Sequence, residues 1–264
     1  MSNLFNDFSK WLEDYESKIS PDSSQLSSHD IYDTQLNKIQ IPRDHYICGL
    51  ISQEVYKDPK DRQKYISSYQ LEERFNTERT VVYTSYFGIE FIIGLRGTAD
   101  SVIDLASDFL IAVGKENLSI RKSRTIEYVR EIIKVLSIEG YTTEGSFITG
   151  HSLGGLLTAY CMEATGTIRG IGFNTGSSPA QNKSLSFLLG RLKPFLNDKE
   201  DNLKFINYHV EGDLISSSSV DLFIDTVILN TQPKPKTALE AHKISFLLKS
   251  TSPNPPLVNL EYIF

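Results

Sequence analysis

The run Ile148-Thr149-Gly150-His151-Ser152-Leu153-Gly154-Gly155 constrains this chain more than any other stretch of it. A serine centred in Gly-x-Ser-x-Gly marks a sharp passage from a strand into a helix, and the glycines let the strained turn approach its neighbours. The flanks fit that geometry. Gly145 to Thr149 reads as a short apolar strand and Leu153 to Glu163 as a helix. Such a turn lifts the hydroxyl above the sheet and aims a helix N-terminus at an oxygen bound beside it, where negative charge is favoured. The spacing therefore predicts Ser152 as a nucleophile and the backbone N–H of Leu153 as a donor to the oxyanion.

A turn of this kind needs a sheet, and the rest of the chain supplies one. Strands are predicted over Thr80 to Tyr86, Gly88 to Leu95, Ile168 to Phe173, Leu203 to Val210 and Asp225 to Leu229. Helices are predicted over Val102 to Val113, Ser123 to Ser137 and Ser184 to Phe195, and a mostly helical mixture over Tyr46 to Tyr69. Alternation of strand and helix predicts an α/β fold with a mostly parallel central sheet covered by helices on both faces. Ahead of it, Leu4, Phe5, Phe8, Trp11, Leu12, Tyr15 and Ile19 recur at helical spacing, and a polar stretch runs from Ser20 to about Asp44. The expected organisation is an N-terminal amphipathic helix with its connection over residues 1–45 and one α/β domain over 46–264. The helix is read either as packed on the domain or as an interfacial anchor; its acidic polar face disfavours the anchor.

An activated serine needs a base, and the base needs an acid to fix its tautomer. In this type of sheet the chain order is Ser, then Asp or Glu, then His. Of the five histidines, His29 and His45 precede the serine and His151 lies inside the turn. His209 falls within a strand ahead of the best acid and reads as a packed residue, which leaves His242 as the base. The acid should lie just past the end of a strand. Asp213 follows Phe205 to Val210 by a Glu-Gly turn and is the first choice, with Asp221 in reserve.

These strings together resemble the class 3 lipases, the family that includes filamentous-fungal triacylglycerol lipases. Leu95-Arg96-Gly97-Thr98 is similar to the family's Arg-Gly-Ser/Thr segment, Phe173-Asn174-Thr175-Gly176 to its Phe-Asn-x-Gly turn, and Gly212-Asp213-Leu214 to its Asp-x-Val pattern. The resemblance covers roughly Tyr46 to Leu248. It implies an α/β-hydrolase fold, a second oxyanion donor at Thr98, and hydrolysis of carboxylic esters of lipids through Ser152, Asp213 and His242. The chain departs from the fungal pattern in two places. Arg121-Lys122-Ser123-Arg124 stands where His-x-Gly-Phe is common, and Val102 to Ile111 reads either as a short lid or as core. A compact member with a more open site is the expectation. Phospholipase A1 or monoacylglycerol-type activity is the alternative within enzymes, and a catalytically inactive lipase-fold scaffold that binds a partner is the alternative outside them.

Composition narrows the partners. A net charge of −6 disfavours nucleic acid and anionic lipid, both of which attract basic surfaces. Two cysteines, far apart, suit neither a disulfide framework nor a metal site. The first residues lack a basic start and an unbroken apolar run, so no signal peptide is expected, and nothing reaches the roughly 18 apolar residues of a membrane span. A soluble intracellular protein is predicted, acting without cofactor or metal on a lipid or small ester, with at most transient contact with a membrane surface.

Overall fold

The computed structural model describes residues 38–97, 117–166, 168–176, 205–213 and 225–254. Two segments, Phe91–Leu95 (FIIGL) and Phe147–His151 (FITGH), are buried at every position. A strand without an exposed face belongs in a sheet covered on both sides, and they lie side by side in its middle. Along the chain the strands are β1 (Ile39–Pro42), β2 (Tyr65–Ile66), β3 (Tyr69–Leu71), β4 (Thr80–Ser85), β5 (Phe91–Leu95), β6 (Phe147–His151), β7 (Arg169–Phe173), β8 (Phe205–Val210), β9 (Asp225–Leu229) and β10 (Thr251–Asn254). The helices are α1 (Arg43–Glu54), α2 (Asn117–Ile138), α3 (Leu153–Thr165), α4 (Ala238–His242) and α5 (Ile244–Ser250).

Among the described residues the main sheet has eight strands in the order β2-β3-β4-β5-β6-β7-β8-β9. The pairings from β2 to β5 are antiparallel and those from β5 to β9 parallel. Alternate side chains divide the core. Val81, Tyr83, Ile92, Phe147, Phe173 and Tyr208 pack with α1 and α5, while Val82, Phe91, Ile93, Leu95 and Ile148 pack with α2 and α3. Each large apolar side chain buried this way contributes about 1.5–3 kcal/mol, so both helix layers hold the sheet. The molecule is thus α/β, mostly parallel, with helices on both faces.

The helix α3 is apolar all round, and it is buried from Leu153 through Met162, as such a helix must be. It ends at Gly166, whose left-handed φ of 63° lets its N–H reach the Met162 carbonyl. On the opposite face, α1 is fastened to β6 by Ser52 Oγ and Thr149 Oγ1, 2.9 Å apart in the core. Thr149 Oγ1 also lies 3.0 Å from the Ile171 carbonyl of β7. The two short strands β1 and β10 pair in parallel, joining residues near both ends of the described chain.

The predicted helical mixture over Tyr46 to Tyr69 is corrected in part. Only α1 is an α-helix there; Tyr65–Ile66 and Tyr69–Leu71 are strands. They are too short to show alternation, and their strand character comes from pairing, β2 with β3 and β3 with β4. The helix predicted from Ser123 starts at Asn117. The predicted helices at 102–113 and 184–195 and the N-terminal stripe from Leu4 to Ile19 lie outside the described residues.

Candidate active site

The parallel strands deliver their C-terminal ends to one edge of the sheet, the edge where ligands bind in open α/β folds. Gly97 follows β5, Ser152 follows β6, Asn174 follows β7 and Asp213 follows β8. Ser152 adopts φ 57° and ψ −126°, a backbone conformation that L side chains avoid, and it serves as N-cap of α3 without using its hydroxyl for the cap. The turn is held from both sides. Ser152 N–H donates to the Phe173 carbonyl at 3.0 Å, and the Ser152 carbonyl accepts from Gly155 and Gly176 at 3.0 and 3.2 Å. A Cβ at Gly150 would strike the Gly154 backbone, and one at Gly154 would strike the Leu95 carbonyl. These two glycines are what allow strand, turn and neighbouring strand to touch.

With its hydroxyl free of the cap, Ser152 turns to a histidine. His242 Nε2 is 3.0 Å from Ser152 Oγ, and His242 Nδ1 is 2.8 Å from Asp213 Oδ2. A carboxylate accepts only, so Nδ1 carries the proton and donates to Asp213, leaving Nε2 to accept from the serine. All three are buried, at 1%, 1% and 2% exposure for Ser152, Asp213 and His242. Asp213 hangs on a turn past β8, where its N–H donates to the Val210 carbonyl at 3.1 Å. His242 ends the short helix α4, whose first turn is capped by Thr237 Oγ1 accepting from Glu240 N–H at 3.0 Å. Leu153 opens α3, so its N–H is among the four that a helix leaves without an internal partner.

The structure thus brings Ser152, Asp213, His242 and Leu153 to one place. Thr98 and Asp221 lie outside the described residues. His209 is a buried residue of β8, and desolvation pushes its pKa down. His45 is half-buried against the Tyr208 hydroxyl, 2.7 Å from Nδ1, and its pKa is likewise lowered, chiefly by burial. Arg96 stacks its guanidinium over the Tyr56 ring at 5.7 Å.

Two residues of the site were not assigned roles from sequence. His151, inside the turn, sits with its ring centroid 4.9 Å from that of His242. Its Nε2 lies 2.6 Å from the His242 carbonyl and its Nδ1 3.1 Å from the Tyr56 hydroxyl. A ring nitrogen facing a carbonyl must carry the proton. Burial, and then the neighbouring His242, push the His151 pKa down to about 3, so this ring stays neutral. Asn174, at a left-handed φ of 44°, donates from Nδ2 to the Ala241 and His242 carbonyls at 2.9 and 3.1 Å. An asparagine directly after a strand end is a signal for a left-handed turn, yet nothing local in the sequence points to its partners. Among the described residues no group of three or more His, Cys, Asp or Glu side chains is arranged to hold a metal ion, and no helix is long and apolar enough to cross a membrane.

No protein-family model matches the chain, and no curated protein sequence is similar to it. Among solved structures, a crystal structure of Lip2 lipase from Yarrowia lipolytica is similar at 14% identity and a TM-score of 0.42, over 74% of this chain and 82% of that one. A likeness of that size carries no argument about chemistry, which rests on the site's own geometry.

Proposed function

We propose that this chain is a serine hydrolase of the α/β-hydrolase fold that cleaves carboxylic esters of lipids. The observation that carries the reading is the buried hydrogen-bond chain from Ser152 Oγ through His242 to Asp213, set on a strained turn after a central parallel strand. Ser152 Oγ attacks the ester carbonyl while His242 Nε2 takes its proton. Asp213 holds the imidazole and stabilises the imidazolium that forms. The carbonyl oxygen becomes negative beside the N-terminus of α3, where the Leu153 N–H receives it, with Thr98 as the second donor by resemblance to the lipase segment Arg96-Gly97-Thr98. His242 then returns the proton to the departing alkoxide, and water, activated by the same imidazole, releases the acid from Ser152.

The nucleophile, base and acid support acyl-transfer chemistry; the ester and lipid assignments rest on the sequence resemblance around Gly150 to Gly155 and Arg96 to Thr98. Ser152→Ala tests the reading directly. It should lower hydrolysis of p-nitrophenyl butyrate by about 10⁴-fold or more and abolish labelling by a fluorophosphonate. Full activity in that variant would sink the assignment. Fatty-acid release from phospholipid vesicles set against release from a tributyrin emulsion ranks the phospholipase and acylglycerol alternatives.

A further inference from the structure

The Phe-Asn-x-Gly turn singled out in the sequence has no part in the mechanism above, yet its asparagine touches both arms of the site. Asn174 is fully buried. Its backbone N–H donates to the Tyr208 carbonyl at 2.7 Å and its Oδ1 accepts from Val210 N–H at 2.9 Å, so it is pinned to the end of β8 at two points. From the same amide, Nδ2 donates to the Ala241 and His242 carbonyls. The orientation of the amide is forced, because an N–H must meet the oxygen and carbonyls must meet the nitrogen. Val210 is also the residue whose carbonyl accepts from Asp213 N–H. One side chain therefore references the end of α4, which bears the base, to the end of β8, from which the turn bearing the acid departs. His151 supplies a second donor to the same His242 carbonyl, from the turn that bears the serine.

Resting on the serine-hydrolase reading, we infer that Asn174 is a positioning residue that fixes where the His242 imidazole stands between Ser152 and the departing alkoxide. It acts on the backbone of residues 241 and 242, and through it on the direction of Nε2. Displacing that nitrogen harms two proton transfers unequally across substrates. Removal of the serine proton is needed for every ester. Return of the proton to the leaving group is needed for an alkoxide and hardly at all for p-nitrophenolate, which leaves as a stable anion. A misplaced base therefore depresses alkyl esters more than activated ones.

The test compares ethyl butyrate with p-nitrophenyl butyrate in the wild type and in Asn174→Asp, which keeps the acceptor for Val210 and the tolerance for a left-handed φ while losing the amide donors. We expect kcat/KM for the ethyl ester to fall roughly 100-fold, and for the p-nitrophenyl ester roughly ten times less, with the loss in kcat rather than KM. The ratio of the two rates is read in one sample, so a partly unfolded variant lowers both equally and leaves it unchanged. His151→Phe, which removes the other donor to the His242 carbonyl, gives the same readout if Asn174→Asp does not fold. An unchanged ratio in the folded variant overturns the inference while leaving the hydrolase reading intact. Failure of wild type to cleave either ester, or cleavage that survives Ser152→Ala, overturns the reading on which it rests.

Discussion

Ser152 holds φ 57° only because its surroundings leave it no alternative. A non-glycine residue in that region costs about 1–3 kcal/mol, and the cost is offset by the hydrogen bonds that grip its N–H and carbonyl and by the close passage of Gly150 against Gly154. Adding one methyl at Gly154 drives it into the backbone of Leu95, which cannot swing aside as a flexible side chain would. Gly154→Ala should therefore destabilise the fold by about 1–3 kcal/mol and lower turnover by roughly 100-fold, because the nucleophile shifts relative to its base. Urea unfolding and ester kinetics on the same preparation check both. At this scale the sequence was legible where chemistry is written locally. Gly150 to Gly154 is a contiguous motif, chain order leaves His242 as the base expected for Ser152, and Asp213 is expected as the acid from its place just past the strand Phe205 to Val210. Asn174 was not legible as a positioning residue, since its bonds to Ala241 and His242 span 67 and 68 residues and leave no pattern in either stretch. His151 was set aside as a base, and the contact that gives it a place is with the backbone of a residue 91 positions away.

Elements matter here through how their ends are tied. Arg121, on the first half of α2, reaches the strand end after β5 and donates from Nη2 to the carbonyls of Arg96 at 2.6 Å and Gly97 at 3.1 Å. Burial lowers its pKa, yet an arginine retains its charge at any working pH. Arg121→Met keeps the apolar stem and strands those two carbonyls. The expected loss is about 1–3 kcal/mol, read as a lower midpoint in thermal unfolding, and Arg121→Lys should recover only part of it because one ammonium lacks the planar fork. The same residue occupies the place where the sequence departs from the fungal lipase pattern. Elements themselves were legible where they are long or fully apolar, as α3, β5 and β6 are. Strands of two to four residues, β2, β3, β1 and β10, exist only by virtue of their partners, and composition alone could not mark them.

Across the described residues three histidines, His45, His151 and His209, have pKa values lowered chiefly by burial, that of His151 to about 3, and this shapes the molecule's response to acid. In the unfolded chain each titrates near ~6.5. Between the two values the unfolded state binds a proton that the folded state refuses, so stability rises with pH across that window. Each such group therefore contributes stability that is fully present above ~6.5 and is lost as pH falls towards its folded value, at up to ~1.4 kcal/mol per pH unit. For His151 the loss continues down to about 3. The protein should accordingly become steadily easier to unfold with urea as pH is lowered from 7 to 4. Carboxylates also titrate over this range, but they do so in wild type and variant alike, so a difference isolates the histidine. His151→Phe should be less stable than wild type at pH 7, where its hydrogen bonds are lost, and should show a shallower decline by about 1.4 kcal/mol per pH unit between pH 6 and 4. Equal slopes in the two proteins would mean that the folded state accommodates a charged His151, and the neutral ring against the His242 carbonyl would then have to be abandoned.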